Sequence, residues 1–281
     1  MNDINISVLG FPASGKTTFL AALWHFIESN EIPCTLKLGK FNLDHTHLNN
    51  IVECWSQGKE VVRTRITSGK EVVLNLENSI TGEEIRIKLA DLSGEMFEEQ
   101  VKTRLITDDY IESYKSSNGI LLFINANKKC DDVSFHDVSG ELRDTLQNKE
   151  SKISTWTHRN IPLQVKIIEL LQILTSRPFN NNRRKIAIII SAWDIVQPRE
   201  IQPEYWLQNE MPMLYQHLFT NPSLYYPKYY GISAQGCDLS LQEERENILD
   251  LPFASERIIC ASDNVSHHDI TAPLVWLGSN D

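Results

Sequence analysis

Apolar residues along the chain recur with two spacings, one typical of strands and one typical of helices. Runs that alternate apolar with polar residues, or that are apolar throughout, predict strands at 4–9, 34–38, 71–78, 84–89, 119–125, 185–191 and 229–233. Stretches with helical spacing or without breakers predict helices at about 17–29, 45–57, 95–115, 162–176, 204–219 (interrupted at Pro212), 239–250 and 269–277. Because strands and helices alternate nearly from end to end, we expect a three-layer α/β fold, a mainly parallel sheet with helices on both faces.

Two of the predicted strands, 71–78 and 84–89, are joined by a short segment that contains Thr81-Gly82. This spacing predicts an antiparallel hairpin, and therefore one antiparallel strand in the otherwise parallel sheet. Residues 127–157 are polar and irregular in pattern, and we expect them to form a long, partly helical surface insertion. The rest of the pattern predicts a single domain that spans residues 1–281.

Composition narrows the class of protein. The chain has 281 residues, 41% of them apolar, which is enough to bury a full core. Its formal net charge of −10 argues against a general nucleic-acid-binding surface, because such a surface needs clustered Lys and Arg. The five scattered cysteines indicate reduced thiols. No apolar run approaches about 18 residues, so no membrane span is expected. The first strand begins almost at Met1 and leaves no room for a signal peptide, so we expect a cytoplasmic protein.

The strongest chemical signal lies at residues 10–17, which have the sequence GFPASGKT and fit the pattern G-x-x-x-x-G-K-[ST] at every fixed position. A predicted strand precedes this phosphate loop and a predicted helix follows it. Gly10 and Gly15 allow the backbone to approach an anion closely, and the helix N-terminus adds partial positive charge. Lys16 can reach the outer phosphates, and the Thr17 hydroxyl can bind Mg²⁺. The residues expected to bind a nucleotide here are Gly10, Ala13, Ser14, Gly15, Lys16, Thr17 and Thr18.

Three further motifs follow predicted strands, at the edge of the sheet where ligands of such folds bind. They are D-x-x-G at 91–94, SAWD at 191–194 and SAQ at 233–235. With the phosphate loop, and in this order, they resemble the motifs of Ras-like P-loop GTPases of the translation-factor-related class, over most of the chain. Trp193 and the closing sequence TAPLVW at 271–276 are similar to bacterial GTPases of conflict or defence operons. The resemblance implies the P-loop NTPase fold, with GTP or GDP and Mg²⁺ as ligands.

The resemblance also implies roles near the phosphates. Asp91 would hold Mg²⁺ through water, and the N–H of Gly94 would meet the γ-phosphate. An Asp at the carboxyl end of a strand beside a phosphate loop is well placed for this in any case.

For the base, the resemblance implies that Asp194 accepts two hydrogen bonds from guanine. Adenine lacks that donor pair, and a site built on such pairing can discriminate by roughly 10⁴ or more. The family's usual motif is N-K-x-D, and its Asn and Lys are absent here, so Trp193 either stacks on the base or belongs to the core. Ser233 and Ala234 match the family's S-A-K motif, in which the Ala234 N–H would donate to the guanine carbonyl.

The segment between the first helix and the hairpin contains the candidates for a switch. Thr64 is the first choice, and Thr67 the second, for a hydroxyl that completes the Mg²⁺ shell when the γ-phosphate is present. Arg63 or Arg65 could reach the phosphates, although a basic strand edge is the favoured interpretation. Glu95 either positions the attacking water or is an acid stabilised by a helix N-terminus.

We therefore predict a Mg²⁺-dependent GTPase in which Lys16, Thr64 and Glu95 act in hydrolysis and Thr17, Thr64 and Asp91 bind the metal. Turnover without a partner should be slow, about 10⁻⁴ to 10⁻² per second. The protein would act as a switch sensed by an unidentified effector or activating protein. Two other interpretations stay open: an ATP-using P-loop ATPase or kinase, and a nucleotide-binding interaction module that hydrolyses nothing. The oligomeric state stays open as well.

Overall fold

A computed structural model describes residues 2–39, 46–61, 72–90, 94–115, 117–127, 161–179 and 182–279. Within these ranges the strands are β1 (Asn2–Leu9), β2 (Leu36–Leu38), β3 (Val72–Asn78), β4 (Glu84–Ala90), β5 (Gly119–Asn125), β6 (Arg184–Ser191), β7 (Tyr225–Ser233), β8 (Ile259–Ser262) and β9 (Val265–His267). The helices are α1 (Lys16–Ser29), α2 (Thr46–Ser56), α3 (Gly94–Thr103), α4 (Asp108–Lys115), α5 (Leu163–Leu174), α6 (Pro203–Glu210), α7 (Pro212–Thr220), α8 (Gln242–Leu249) and α9 (Ala272–Gly278). All seven predicted strands are present within these ranges.

These strands form one sheet in the order β2-β3-β4-β1-β5-β6-β7-β8-β9. The five central strands, from β4 to β7, run parallel to one another. β3 pairs antiparallel with β4, as the Thr81-Gly82 turn predicted. At the opposite edge β8 pairs antiparallel with β7 and is a second reversed strand, which the sequence pattern did not predict. The predicted α/β fold class is thereby confirmed, with one more antiparallel strand than expected.

Helices cover both faces of this sheet because its central strands are apolar on both sides. In β5, Leu121 and Phe123 belong to one buried cluster, whereas Ile120, Leu122 and Ile124 belong to the other. The first cluster is closed by buried residues of α1, α2 and α9, and the second by buried residues of α3 to α7. The alternation of side chains along a strand thus builds the three layers.

Some boundaries differ from the prediction for local reasons. The predicted helix at 95–115 is two helices, α3 and α4, because Arg104 takes a left-handed conformation with φ of 58° after α3. The predicted break at Pro212 is present, where α6 ends and α7 begins. Of the predicted insertion at 127–157, only Asn127 is among the described residues.

Helix α1 places the phosphate loop at the carboxyl edge of the sheet. It begins directly after Gly15 and ends at Ser29, and the C-cap residue Asn30 has a left-handed φ of 56°. Its apolar residues pack on the sheet, with the rings of Phe19 and Phe123 edge to face at 5.2 Å. None of the helices among the described residues is long and apolar enough to cross a bilayer.

Candidate nucleotide site

The phosphate loop connects β1 to α1 at the carboxyl end of β1. Gly15 is the N-cap of α1 with φ of 90°, a left-handed conformation that suits glycine. A Cβ atom on Gly15 would lie 2.7 Å from the Ser191 Oγ. The sequence-based requirement for glycine here therefore has two physical causes, the backbone angle and the close approach of β6.

Lys16 has its ammonium group inside this loop. The side chain is only 6% exposed, and its Nζ donates to the carbonyl oxygens of Gly10 at 2.5 Å and Phe11 at 3.1 Å and to the Ser14 Oγ at 3.2 Å. Three oxygen atoms of the loop thus hold the cation beside the helix N-terminus. Thr17 follows in the first helical turn and is half-buried.

Side chains at the ends of β5 and β6 donate hydrogen bonds to backbone carbonyl groups of the phosphate loop. The Asn125 Nδ2 donates to the Ala13 carbonyl oxygen at 2.8 Å. The Ser191 Oγ donates to the Ser14 carbonyl oxygen at 2.9 Å. Sequence reasoning did not assign these roles to Asn125 and Ser191. The available signal was that each is the polar residue ending a buried apolar strand.

Gly94 lies against the phosphate loop, where the D-x-x-G hypothesis needs it. A Cβ atom on Gly94 would lie 2.5 Å from the Pro12 backbone nitrogen and 2.8 Å from the Phe11 carbonyl carbon. Only glycine therefore brings the start of α3 this close to the loop. Glu95 is exposed in the first turn of α3.

The remaining predicted residues on the phosphate side cannot be placed in this way. Asp91 and Thr64, together with the alternatives Thr67, Arg63 and Arg65, lie outside the described residues. Their proposed roles stay predictions.

Asp194 and Ser233 meet at the base end of the site. The Ser233 hydroxyl donates to the Asp194 Oδ1 and accepts a hydrogen bond from the Gly236 N–H at 2.9 Å. Burial raises the pKa of the Asp194 carboxyl, the hydrogen bond from Ser233 opposes this rise, and the charges of Glu244 and Asp238 add to it. The structure thus brings together the two predicted base motifs, from the ends of β6 and β7.

Trp193 belongs to the core. It is 1% exposed, and a Cβ atom on Gly231 of β7 would lie only 2.2 Å from its indole ring. Of the two interpretations that the sequence left open, the structure therefore supports core packing, because a base cannot stack on a ring that is covered on both faces.

Ala234 is buried, and its carbonyl oxygen accepts a hydrogen bond from the Trp55 Nε1 at 2.8 Å. Arg257 in turn has its guanidinium carbon 3.6 Å from the centre of the Trp55 ring. Sequence reasoning missed Trp55 and Arg257, since no motif connects positions so far apart along the chain.

The described residues fit a nucleotide triphosphate. The phosphate loop has the close backbone approach and the cation that an anion requires, and Asn125 and Ser191 donate to the carbonyl oxygens of Ala13 and Ser14. Within the described ranges, no group of three His, Cys, Asp or Glu side chains could hold a metal by itself. Mg²⁺ is bound in many phosphate sites by one or two protein ligands plus phosphate oxygens, and Thr17, which is half-buried in the first turn of α1, is the predicted ligand that lies within the described residues.

The mostly parallel sheet between two layers of helices, with the phosphate loop between β1 and α1, is the α/β fold of P-loop GTPases. The family model of Double-GTPase 1 matches residues 7–277. The chain therefore belongs to the Double-GTPase 1 family, which confirms the predicted resemblance to GTPases of the conflict-system type.

Comparisons with individual proteins say less about this chain than the family model does. A search of curated proteins found no match. Matching chains of solved structures number 274, among them the Saccharomyces cerevisiae Ski7 GTPase-like domain bound to GTP. That match has 15% sequence identity and a TM-score of 0.37, and it covers 84% of this chain. This chain spans 43% of the length of the Ski7 chain.

Proposed function

We propose that the protein binds GTP with Mg²⁺, hydrolyses it slowly to GDP, and acts as a nucleotide-controlled switch for a partner protein. One observation supports this most directly. The four-residue turn at 191–194 braces the phosphate loop with its first residue, through the 2.9 Å hydrogen bond from Ser191 to Ser14, and presents the Asp194 carboxylate with its last. This turn therefore contacts the phosphate loop through its first residue and carries the proposed base-binding carboxylate at its last.

The phosphate end would bind the triphosphate through backbone N–H groups of the phosphate loop and the Lys16 ammonium. When bound, Mg²⁺ neutralises charge on the phosphate oxygens, and Thr17, Thr64 and Asp91 are its proposed ligands. Hydrolysis needs little covalent chemistry from the protein, since positioning and charge stabilisation dominate phosphoryl transfer. Glu95, which is exposed at the start of α3, is the proposed residue for orienting water.

The base end would select guanine through the edge of the ring. The Asp194 carboxylate accepts from the ring N–H and the amino group, and the Ala234 N–H donates to the carbonyl oxygen. The hydrogen bond from Ser233 fixes one carboxylate oxygen, so the acceptor pair is oriented before the base arrives. Adenine cannot satisfy this arrangement and leaves buried polar groups unpaired.

The proposal is tested by a competition titration of GTP against ATP with Mg²⁺ present. Wild type should prefer GTP, Lys16→Ala should bind neither nucleotide well, and Asp194→Ala should relax the preference while retaining phosphate binding. Equal affinity for both nucleotides in wild type would instead support an ATP-using enzyme.

Hydrolysis is tested separately by single-turnover measurements with radiolabelled GTP. We expect a rate of about 10⁻⁴ to 10⁻² per second for the isolated protein. A rate that no added protein fraction accelerates, and that equals the rate of Lys16→Ala, would identify a binding module without hydrolysis.

A further inference from the structure

Trp55 connects the last turn of α2 to the base loop, which we define as residues 233–236. Its side chain is fully buried, and its Nε1–H donates to the Ala234 carbonyl oxygen at 2.8 Å across 179 positions of sequence. A buried indole N–H needs an acceptor, and here the acceptor is the residue whose own N–H is proposed to meet guanine. The hydrogen bond fixes the peptide group between Ala234 and Gln235, which is next to the peptide group that carries the Ala234 N–H.

Arg257 holds Trp55 in place. It is 3% exposed, its guanidinium carbon lies 3.6 Å from the centre of the Trp55 ring, and its Nη2 donates to the Trp55 carbonyl oxygen. That carbonyl belongs to the last turn of α2, where the helix dipole favours a cation. Burial lowers the pKa of Arg257 to about 10, so the group remains a cation at neutral pH.

The backbone of Arg257 also lies close to Gly236 of the base loop. Gly236 has φ of 88°, and a Cβ atom on it would lie 2.6 Å from the Arg257 carbonyl oxygen. The base loop is therefore hydrogen-bonded at two points, from Ser233 to Asp194 and from Trp55 to the Ala234 carbonyl, and Gly236 packs closely against the Arg257 backbone.

We propose that Trp55 and Arg257 are positioning residues for base recognition, which hold the base loop so that the Ala234 N–H points at the carbonyl oxygen of guanine. This inference rests on the proposed function. Neither side chain touches the nucleotide. Both are buried, and they act through the conformation of the base loop alone.

The test uses analogues that separate the two ends of the guanine edge. 6-Thio-GTP keeps the ring N–H and the amino group but replaces the carbonyl oxygen with sulfur, a weaker acceptor. ITP keeps the carbonyl oxygen and the ring N–H but lacks the amino group. The ratio of GTP to 6-thio-GTP affinity therefore reports on the Ala234 contact, and the ratio of GTP to ITP affinity reports on Asp194.

Trp55→Phe removes the indole N–H and keeps an aromatic face for Arg257. We expect GTP affinity to fall roughly 2- to 12-fold, because a displaced Ala234 N–H weakens one hydrogen bond to the guanine carbonyl oxygen. The preference for GTP over 6-thio-GTP should fall towards unity, and the preference for GTP over ITP should stay within about twofold of wild type.

Trp24→Phe is the matched control. Trp24 is also buried, and its Nε1–H donates to the Asn49 Oδ1 at 3.2 Å, a hydrogen bond between α1 and α2 and not to the base loop. This variant should leave both ratios unchanged. If Trp55→Phe fails to fold, Arg257→Lys serves in its place, because it keeps the charge at the end of α2 but loses the planar stacking on Trp55.

The two proposals fail in different ways. A wild-type protein that does not prefer GTP over ATP refutes the proposed function. The positioning role alone is refuted when wild type prefers GTP over ATP but Trp55→Phe or Arg257→Lys leaves the ratio of GTP to 6-thio-GTP affinity unchanged. It is also refuted when these variants change the GTP to 6-thio-GTP ratio and the GTP to ITP ratio equally.

Discussion

Asp194 offers a sharp test of base recognition, because one atom of its side chain can be changed without a change of size. Asp194→Asn converts one acceptor oxygen of the carboxylate into an amide donor. Guanine presents two donors to this side chain, so the new amide would face the guanine amino group with both groups donating. Xanthine has a carbonyl oxygen in place of that amino group and would pair with the amide. The variant should therefore prefer XTP over GTP.

The size of the change follows from the burial of the site. Asp194 is partly buried and is oriented by the Ser233 hydroxyl, so an unmatched polar pair there cannot turn to solvent. Leaving one buried polar group unpaired costs about 1–3 kcal/mol, so GTP affinity should fall by a factor of roughly 5 to 150. XTP should gain by a similar factor.

Asp194→Asn should lower GTP affinity but raise the thermal stability of the nucleotide-free protein at neutral pH. Burial raises the pKa of Asp194 in the folded protein above its value in the unfolded chain. A raised carboxyl pKa stabilises the fold at low pH, and this contribution is lost as pH rises through the folded pKa. Asn carries no charge at any pH, so Asp194→Asn should have a higher Tm than wild type at neutral pH. This difference should shrink on acidification.

The assay is competition of GTP, XTP and ATP against a fluorescent guanine nucleotide, with thermal unfolding of the nucleotide-free protein at several pH values. Asp238→Asn is the control, since Asp238 is an exposed acid near the base loop and is bonded to Ser240. It should leave the preference for GTP unchanged. Because its charge adds to the rise in the Asp194 pKa, this variant is a control for base preference and not for Tm. An Asp194→Asn protein that still prefers GTP would refute the assignment of Asp194 to the base.

Two glycines give further predictions about packing. Gly15→Ala should abolish nucleotide binding in calorimetric titrations, because its Cβ would lie 2.7 Å from the Ser191 Oγ and φ is 90°. Gly82→Ala, at φ of 69° with no atom within 4 Å of its Cβ, should keep wild-type nucleotide affinity, and equal losses in both variants would contradict the steric argument. Gly231→Ala places a Cβ 2.2 Å from the Trp193 ring and should lower the free energy of unfolding in urea by about 3 kcal/mol or more, whereas a loss under about 1 kcal/mol would show that Trp193 moves freely.

The sequence predicted the parts of the fold that depend on neighbouring residues. The phosphate loop is a contiguous motif, and β5 and β6 are continuous apolar runs, so their identities follow from local pattern. The β8–β9 hairpin escaped prediction because its strands have only four and three residues, and β9 is largely polar and exposed. Such strands form because β7 offers an edge to pair with, which a local pattern does not contain.

The candidate site also combines residues that a local motif identifies with contacts between residues far apart in the sequence. Lys16, Asp194 and Ser233 could be found from motifs, and the structure brings Asp194 and Ser233 into contact as their order suggested. The contacts from Ser191 to Ser14 and from Trp55 to Ala234 join residues 177 and 179 positions apart. Ser191 stood out as the polar end of a buried strand and as a departure from the usual Asn, and the structure shows that it donates a hydrogen bond to the phosphate loop.

The sequence SAWD at 191–194, which stands in place of N-K-x-D, has a physical consequence for the proposed base recognition. Ser191 reaches the phosphate loop with a short side chain, and it can do so because Gly15 leaves room beside it. Ala192, with a left-handed φ of 56°, occupies the position that the resemblance to Ras-like GTPases assigns to the Lys of N-K-x-D, and the neighbouring Trp193 is buried. Among the described residues of this turn, no long side chain is therefore left to cover the ring. Under the proposed function, base selection would then depend on the ring edge, through Asp194 and the base loop. The contacts of Trp55 and Arg257 with that loop should therefore matter more here than in a site that also covers the face of the base.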